Sequence, residues 1–337
     1  MKDLTDIKII EQMPVVKRLL SSSNPTIQYK AYKLLLNEPE DSPEMMLLRQ
    51  TIQQSVMAKK LLSYRRSDGT IDDNPYRKWQ GPHWTFYSLA EIDYPYGDKS
   101  LLPLRDQVYD WLLEDKHLKY PQSLLIPGQE NRFRRCASQE GNAILYSIKL
   151  GIDDERTKLL VQRLKKWQWP DGGWNCDKRP QARKSSVVES LIPLRALYLA
   201  GKTYNDSEAL EYAEKTAEYF LKRKLYRRLK DGKMILPYFD RIHYPIFFYD
   251  VLFVLLVMAE IGKITDERCT EALNILQSKQ LPDGGFPLEH MNCKTSNTII
   301  TRGSFADWGE SGKKKTNPFV TIYALYILKC AGKLGKV

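Results

Sequence analysis

The chain has 337 residues, of which 42% are hydrophobic and 28% are charged, and its formal net charge is +11. This composition supplies enough apolar material for a large core, whereas the most apolar run, Val251–Ala259, is only about half as long as a membrane span. The surplus of positive charge favours a small-molecule or acidic ligand. We expect no nucleic-acid partner, because net charge is the only feature of the sequence that would support one.

The cysteines and the first residues of the chain bear on its compartment. The five cysteines are an odd number and form no CxxC motif. Met1–Ile10 is charged and lacks the pattern of a signal peptide. We therefore expect a reduced, cytoplasmic protein with no transmembrane segment, and we leave peripheral membrane contact open.

Apolar residues at helical spacing predict about twelve helices and little strand. In chain order the predicted helices are Leu4–Leu20, Thr26–Leu36, Glu44–Leu62, His83–Ile92, Leu101–Leu113, Ser138–Leu150, Asp153–Trp167, Ser185–Ala200, Ser207–Lys224, Tyr244–Ile261, Asp266–Lys279 and Asn317–Lys333. A small β-hairpin is predicted within 227–241, around Asp231-Gly232. We assign residues 1–43 to an N-terminal helical pair that joins the fold of residues 44–337.

Two similar turns follow predicted helices. Gln168–Trp174 reads QWPDGGW, and Gln280–Phe286 reads QLPDGGF. Proline ends a helix, Asp-Gly makes a tight turn, and glycine accepts positive φ, which we expect at Gly173 and Gly285. Weaker turns lie at Asp68-Gly69, Pro127-Gly128 and Asp231-Gly232, so the sequence indicates an internal repeat with a period of roughly 45–60 residues.

These turns resemble the QW-type repeat of squalene-hopene cyclases and protein prenyltransferase β-subunits, and the chain also looks like uncharacterised bacterial proteins that carry this repeat. The resemblance implies an all-α (α/α)6 toroid, with helices such as Tyr244–Ile261 on its inner ring. It further implies a terpenoid cyclase-like or prenyltransferase-like enzyme whose central cavity holds an isoprenoid or similar apolar ligand. The alternatives are a carbohydrate-active lyase or hydrolase of the same fold and a non-catalytic binding toroid.

The catalytic sequence motifs of both families are incomplete in this chain. Cyclases use an Asp-x-Asp-Asp acid, of which Thr70–Asp73 keeps only the last two members. Prenyltransferases bind zinc through Asp-x-Cys at the start of an inner helix, and the matching stretch Lys184–Glu189 has no cysteine. The cofactor is therefore undetermined, and a different zinc site formed by Cys136, Cys176 and His243 stays an alternative.

The candidate site residues lie where loops leave the proposed turns. The predicted catalytic residues are His243, Asp250, Glu140, Glu189 and His83. The predicted ligand-binding residues are Trp84, Arg134, Arg135, Asn142, Trp174, Asp177, Arg179, Tyr244 and Trp308. A carboxylate within an apolar helix is either paired or has a raised pKa, so an ion pair with Arg134, Arg135 or Arg195 is the structural alternative for these acids.

His243 and Asp250 are the leading pair. Their spacing of seven places both on one face of the predicted helix Tyr244–Ile261, two turns apart and too distant for a direct hydrogen bond. We expect both side chains to face one cavity, with the histidine acting as a base or a ligand and the acid as a proton donor or charge partner.

Overall fold

The computed structural model describes residues 2–114, 125–126, 129–133, 136–177, 179 and 181–334. About 53% of the chain is helical, with 14 α-helices and a few short strands among the described residues, as the sequence predicted for a mostly helical fold. The helices are α1 (Lys2–Gln12), α2 (Pro14–Leu20), α3 (Pro25–Lys30), α4 (Pro43–Gln54), α5 (Val56–Leu62), α6 (Pro82–Glu91), α7 (Leu102–Leu113), α8 (Ala137–Leu150), α9 (Glu155–Trp167), α10 (Val187–Tyr204), α11 (Ser207–Leu221), α12 (Val251–Glu260), α13 (Thr270–Gln277) and α14 (Pro318–Cys330).

The described residues fall into two compact units. The first unit takes its residues from Met1–Leu61, Glu91–Pro95 and Lys224–Val337. The second unit takes them from Leu62–Ala90 and Tyr96–Arg223. Segments that are distant in sequence thus share the first unit, where α14 packs on α3 and on the π-helical turn that follows it.

Short polar side chains determine where several helices begin. The Asp154 carboxylate accepts the backbone N–H of Arg156 at 2.9 Å and completes a capping box at the start of α9. Asp206 accepts the N–H of Ala209 at 3.0 Å at the start of α11. These caps satisfy N–H groups that have no partner within the helix, so the helix starts follow from local sequence.

Two predicted helices near the N-terminus are divided in the structure. The predicted helix Leu4–Leu20 is interrupted at Met13, because Pro14 suits the first position of a new helix. The predicted helix Glu44–Leu62 is interrupted at Ser55, whose backbone is extended.

The predicted helix Tyr244–Ile261 differs most from the structure. Only α12, from Val251 onwards, is helical, because Asp250 has an extended backbone and caps the helix there. Every residue of Val251–Ala259 is buried. No helix in the described ranges is both long enough and apolar enough to cross a membrane.

The strands form three short pairs. β1 (Leu125–Ile126) pairs antiparallel with β2 (Gln129–Phe133). The parallel pairs are β3 (His243–Tyr244) with β4 (His290–Met291) and β5 (Lys294–Thr295) with β6 (Gly303–Ser304). The hairpin predicted within 227–241 is reduced to one antiparallel bridge between Arg227 and Met234.

The two glycine turns make the same backbone hydrogen bonds. In the second unit, Trp169 N donates to Gly173 O at 2.7 Å. In the first unit, Leu281 N donates to Gly285 O at 2.8 Å. The similar sequences therefore fold into turns of the same kind.

Positive φ falls on the first glycine of each turn, at Gly172 (96°) and Gly284 (82°), and not on Gly173 or Gly285. The prediction of positive φ at Gly173 and Gly285 was therefore wrong. These two positions require glycine because they lack room for a side chain. A Cβ atom on Gly285 would collide with the side chain of Thr316. The first glycine of each turn is thus required for its positive φ, and the second for the lack of space around it.

Candidate functional site

His243 and Asp250 are in direct contact in the first unit. Asp250 Oδ2 lies 3.1 Å from His243 Nδ1 and accepts the backbone N–H of His243 at 2.7 Å. The prediction that the two are too distant to hydrogen-bond was wrong, because the chain before Val251 is not helical. His243 lies in β3, and Asp250 is the N-cap of α12.

The contacts of His243 determine where its ring carries a proton. Nδ1 lies 2.8 Å from the carbonyl oxygen of Arg241, which can only accept. Nδ1 therefore carries a proton, and Nε2 of the neutral ring has the lone pair. Asp250 is 1% exposed, and burial raises its pKa while the hydrogen bond with His243 opposes that rise. Asp250 thus caps a helix and orients the His243 ring.

His290 joins this pair to an open groove of about 690 Å³. The β3–β4 pairing sets His290 opposite His243, with the two ring centroids 5.0 Å apart. Partial burial, and then the nearby cationic groups, lower the pKa of His290. We call this groove the cationic groove; its lining includes His290, Lys294, Thr295, Arg302, Glu310 and Ser311.

The cationic groove has a surplus of positive charge. Lys294 and Arg302 are exposed, and neither forms an ion pair with a carboxylate in the part of the chain that the structure describes. The acids of the lining are already paired with lysines, Glu289 at 2.8 Å and Glu310 at 2.5 Å. The groove therefore offers two uncompensated cations to a ligand.

A second cluster of reactive side chains lies in the second unit. Cys136, Cys176 and Glu189 place their two sulfur atoms and a carboxylate oxygen within 4.8 Å of one another. The Cys176 thiol donates to Glu189 Oε1 at 3.4 Å, and the Ser138 hydroxyl donates to Oε2 at 3.0 Å. Of the alternative zinc set considered from sequence, the structure brings Cys136 and Cys176 together with Glu189, while His243 has the contacts given above.

Titratable groups crowd this cluster. The hydrogen bond with Cys136, and then burial, raise the pKa of Cys176, and burial raises the pKa of Glu189. Burial, followed by the charge of Glu189, raises the pKa of Tyr76. The ring of His83 lies 5.4 Å from that of Tyr76. The structure therefore places His83 and Glu189, both predicted as catalytic, beside the same tyrosine.

Glu140 and Asn142 are buried within α8. Glu140 Oε1 lies 2.8 Å from a guanidinium nitrogen of Arg163, on α9. The ion pair that the sequence offered as the structural alternative for Glu140 is therefore present, but with a partner that the sequence analysis did not name. Asn142 is 4% exposed, and its Nδ2 has no hydrogen-bond partner among the described residues.

The predicted aromatic ligand contacts are packed in the cores of the units. Trp84, Trp174, Trp308 and Tyr244 are all fully buried. The indole N–H of Trp174, for example, donates to the Leu164 carbonyl at 3.1 Å. Each of these side chains therefore has the contacts of a core residue in this structure.

Two of the remaining predicted ligand contacts pair with each other. Asp177 and Arg179 form an ion pair with each other at 2.5 Å, and the arginine side chain is 80% exposed. Arg134 and Arg135 lie outside the described residues.

Sequence reasoning missed several residues of these two clusters. His290, Lys294 and Arg302 lie in a polar loop that carried no periodic signal, and Tyr76 lies in another. The sequence carried no signal for Lys294 and Arg302, because pairing of charges four residues apart is informative only on a helix and both residues lie outside helices. No protein-family model and no curated protein matches this sequence.

Proposed function

We propose that this protein is an enzyme that acts on an isoprenoid or similarly apolar molecule bearing a phosphate or diphosphate group. The observation that supports it most is the hydrogen-bonded pair of Asp250 and His243 beside His290 of the cationic groove. A buried carboxylate that fixes an imidazole leaves Nε2 to accept a proton, which is the arrangement of a general base.

The groove supplies the charge for a phosphate group. The planar guanidinium of Arg302 matches two phosphate oxygens at once, and Lys294 adds a second positive charge. Hydroxyl groups of Thr295 and Ser311 offer neutral hydrogen bonds. A volume of about 690 Å³ is typical of small-molecule sites and exceeds what a phosphate group alone fills.

Two observations support a ligand with an apolar part. Met291 and Cys293 add apolar surface to the groove lining. The turns Gln168–Trp174 and Gln280–Phe286 resemble those of enzymes that act on isoprenoids, and on the same resemblance we propose that the helix pairs belong to an α/α toroid.

Isothermal titration calorimetry with geranyl diphosphate, pyrophosphate and geraniol separates the two parts of the ligand. We expect geranyl diphosphate to bind most tightly and pyrophosphate more tightly than geraniol. Arg302→Ala should weaken both phosphorylated ligands about tenfold, as loss of a charge-assisted contact does. Lys230→Ala, which removes an exposed lysine of the same unit outside the groove, is the matched control.

Asp250→Asn tests the role of the pair. Asparagine keeps the shape and an acceptor for the helix cap but loses the negative charge beside His243. We expect the variant to bind geranyl diphosphate but to hydrolyse it at a strongly reduced rate. In that reaction His243 takes a proton from the attacking water, while the carbon–oxygen bond breaks to give geraniol and diphosphate. Equal binding by the wild type and Arg302→Ala, or full turnover by Asp250→Asn, would contradict the proposal.

A further inference from the structure

Cys136, Cys176 and Glu189 come together from three separate segments of the second unit. Cys136 immediately precedes α8, Cys176 lies in the loop after the first glycine turn, and Glu189 is in the first turn of α10. Their ligand atoms lie within 4.8 Å of one another. Sulfur and oxygen ligands of a tetrahedral zinc ion lie roughly 3.5 Å apart, since Zn–S is about 2.3 Å and Zn–O about 2.0 Å. The Cys176 Sγ to Glu189 Oε1 distance of 3.4 Å matches that separation.

A second layer of contacts orients the carboxylate of Glu189. The backbone N–H and the hydroxyl of Ser138 both donate to Oε2, at 3.3 and 3.0 Å. These bonds leave Oε1 directed at Cys176. Hydrogen bonds of this kind to the ligands are characteristic of metal sites in proteins.

The loop that carries Cys176 is tied to the helix that carries Glu189. The backbone N–H of Trp174 donates to Ser190 Oγ at 2.9 Å, and the N–H of Ser186 donates to the Trp174 carbonyl at 2.8 Å. Ser186 is the N-cap of α10 and Ser190 follows Glu189 within it, so these bonds tie the loop to the part of α10 that carries the carboxylate.

The helix that follows Cys136 is held equally close. Gly141 of α8 faces α10 so closely that a Cβ atom there would lie 2.9 Å from Ile192 Cγ2 and 3.1 Å from Pro193 N. This near approach of two backbones, about one turn from the cluster, sets the distance between Cys136 and Glu189. The helix that follows Cys136 and the helix that carries Glu189 are therefore closely packed, and the loop that carries Cys176 is hydrogen-bonded to the start of α10.

We infer that Cys136, Cys176 and Glu189 bind one divalent metal ion of the thiolate-preferring class, with Zn²⁺ the best match. Two thiolates select zinc over magnesium and calcium, which prefer oxygen ligands alone. Three protein ligands leave a fourth position for water or a substrate atom, which is the arrangement of catalytic rather than structural zinc. Cys136 is exposed, so solvent reaches this side of the site.

Metal analysis of the purified full-length protein tests the site. We expect the wild type to hold about one zinc ion per chain after incubation with zinc and removal of excess by gel filtration. Cys136→Ser and Cys176→Ser should retain less than about a tenth of that amount, and Glu189→Gln should bind at least about tenfold more weakly. Cys330→Ser, which changes a partly exposed cysteine of the first unit, should bind zinc as the wild type does.

Two further measurements keep the test independent of variants that fail to fold. Cobalt bound to the wild type should show a thiolate-to-metal charge-transfer band, which oxygen ligands alone do not give. Thiol titration of the unfolded, metal-free protein should find all five cysteines reactive. A wild type without zinc, cobalt without that band, or a disulfide between Cys136 and Cys176 would overturn the inference, and none of these results bears on the cationic groove.

Discussion

His83 is fully buried at the start of α6, where Nδ1 lies 3.2 Å from the hydroxyl oxygen of Tyr146. Nε2 has no hydrogen-bond partner among the described residues. Burial, and then the charge of Lys78, lower the pKa of His83 to about 3. The ring is therefore neutral in the folded protein over the whole physiological range and is a hydrogen-bonding group rather than a cation.

The free energy of unfolding should decrease as the pH falls, because of His83. Below pH 6.5 the unfolded chain protonates His83, whereas the folded chain does so only near pH 3. The unfolded state therefore binds more protons in that window, and the free energy of unfolding decreases by about 1.4 kcal/mol per pH unit as pH falls through it. Urea unfolding at pH 7.5, 6.0 and 5.0 should show this slope in the wild type and a smaller one in His83→Asn. Identical slopes would show that His83 titrates normally.

Gly285 should matter for stability through space rather than through φ. A Cβ atom there would displace Thr316, whose hydroxyl donates to the Asp283 carboxylate at 2.8 Å. Gly285→Ala should lower the free energy of unfolding by roughly 1–3 kcal/mol, as overpacking does. Gly312→Ala is the control, since a Cβ atom there meets only Lys315 Cγ at 4.0 Å. Equal melting temperatures for the two variants would contradict this account of the motif.

The helices could be predicted from the spacing of apolar residues and from their caps. The contact between His243 and Asp250 could not be predicted in this way. Asp250 and Pro245 were both visible signals that the helix begins late, since proline disfavours helix before it and aspartate is a preferred cap. The continuous apolar periodicity outweighed them in the prediction. The hydrogen bond between His243 and Asp250 follows from the non-helical stretch that this reading missed.

The packing of α8 against α10 supports the proposed metal site, and Gly141 tests that link. In Gly141→Ala the new methyl group would force the two helices apart at Ile192. We expect a loss of roughly 1–3 kcal/mol in unfolding free energy together with weaker zinc binding. Gly312→Ala should change neither quantity. A stable Gly141→Ala variant with unchanged zinc affinity would show that the helix spacing does not position the ligands.

A buried charge network joins distant parts of the chain within the first unit. Lys30 Nζ lies 2.7 Å from Asp93 and 3.9 Å from Glu91. The hydroxyl groups of Tyr244 and Tyr323 both donate to Glu91 Oε1 at 2.6 Å. Residues from the N-terminal, central and C-terminal parts of the sequence thus meet around one carboxylate.

Removing the cation of this network should be costly. Lys30→Met removes the cation that lies 2.7 Å from Asp93 and 3.9 Å from Glu91, and breaking a buried pair in this way costs about 3–5 kcal/mol. Chemical unfolding of Lys30→Met, Glu91→Gln and the double variant should show that the double variant loses less than the sum of the single ones. Additive losses would mean that the two residues do not interact in solution.

Such long-range groupings explain what the sequence could not predict. The parallel pairing of β3 with β4 brings His290 to His243, and the β5–β6 pairing sets Lys294 beside Gly303, next to Arg302. Periodicity reports only which face of a local element is buried, so it gives no information on pairing across such distances. Glu189 could be proposed as a reactive carboxylate from its helix, but its meeting with Cys136 and Cys176 depends on the packing of α8 and the turn loop.

A crystal structure of the protein soaked with pyrophosphate tests the proposed function most directly. We predict that phosphate oxygens lie within hydrogen-bond distance of Lys294 and Arg302 in the cationic groove, next to His290 and the His243–Asp250 pair. Pyrophosphate bound elsewhere on the protein while the groove stays free of it, at a concentration that saturates binding in solution, would contradict the account.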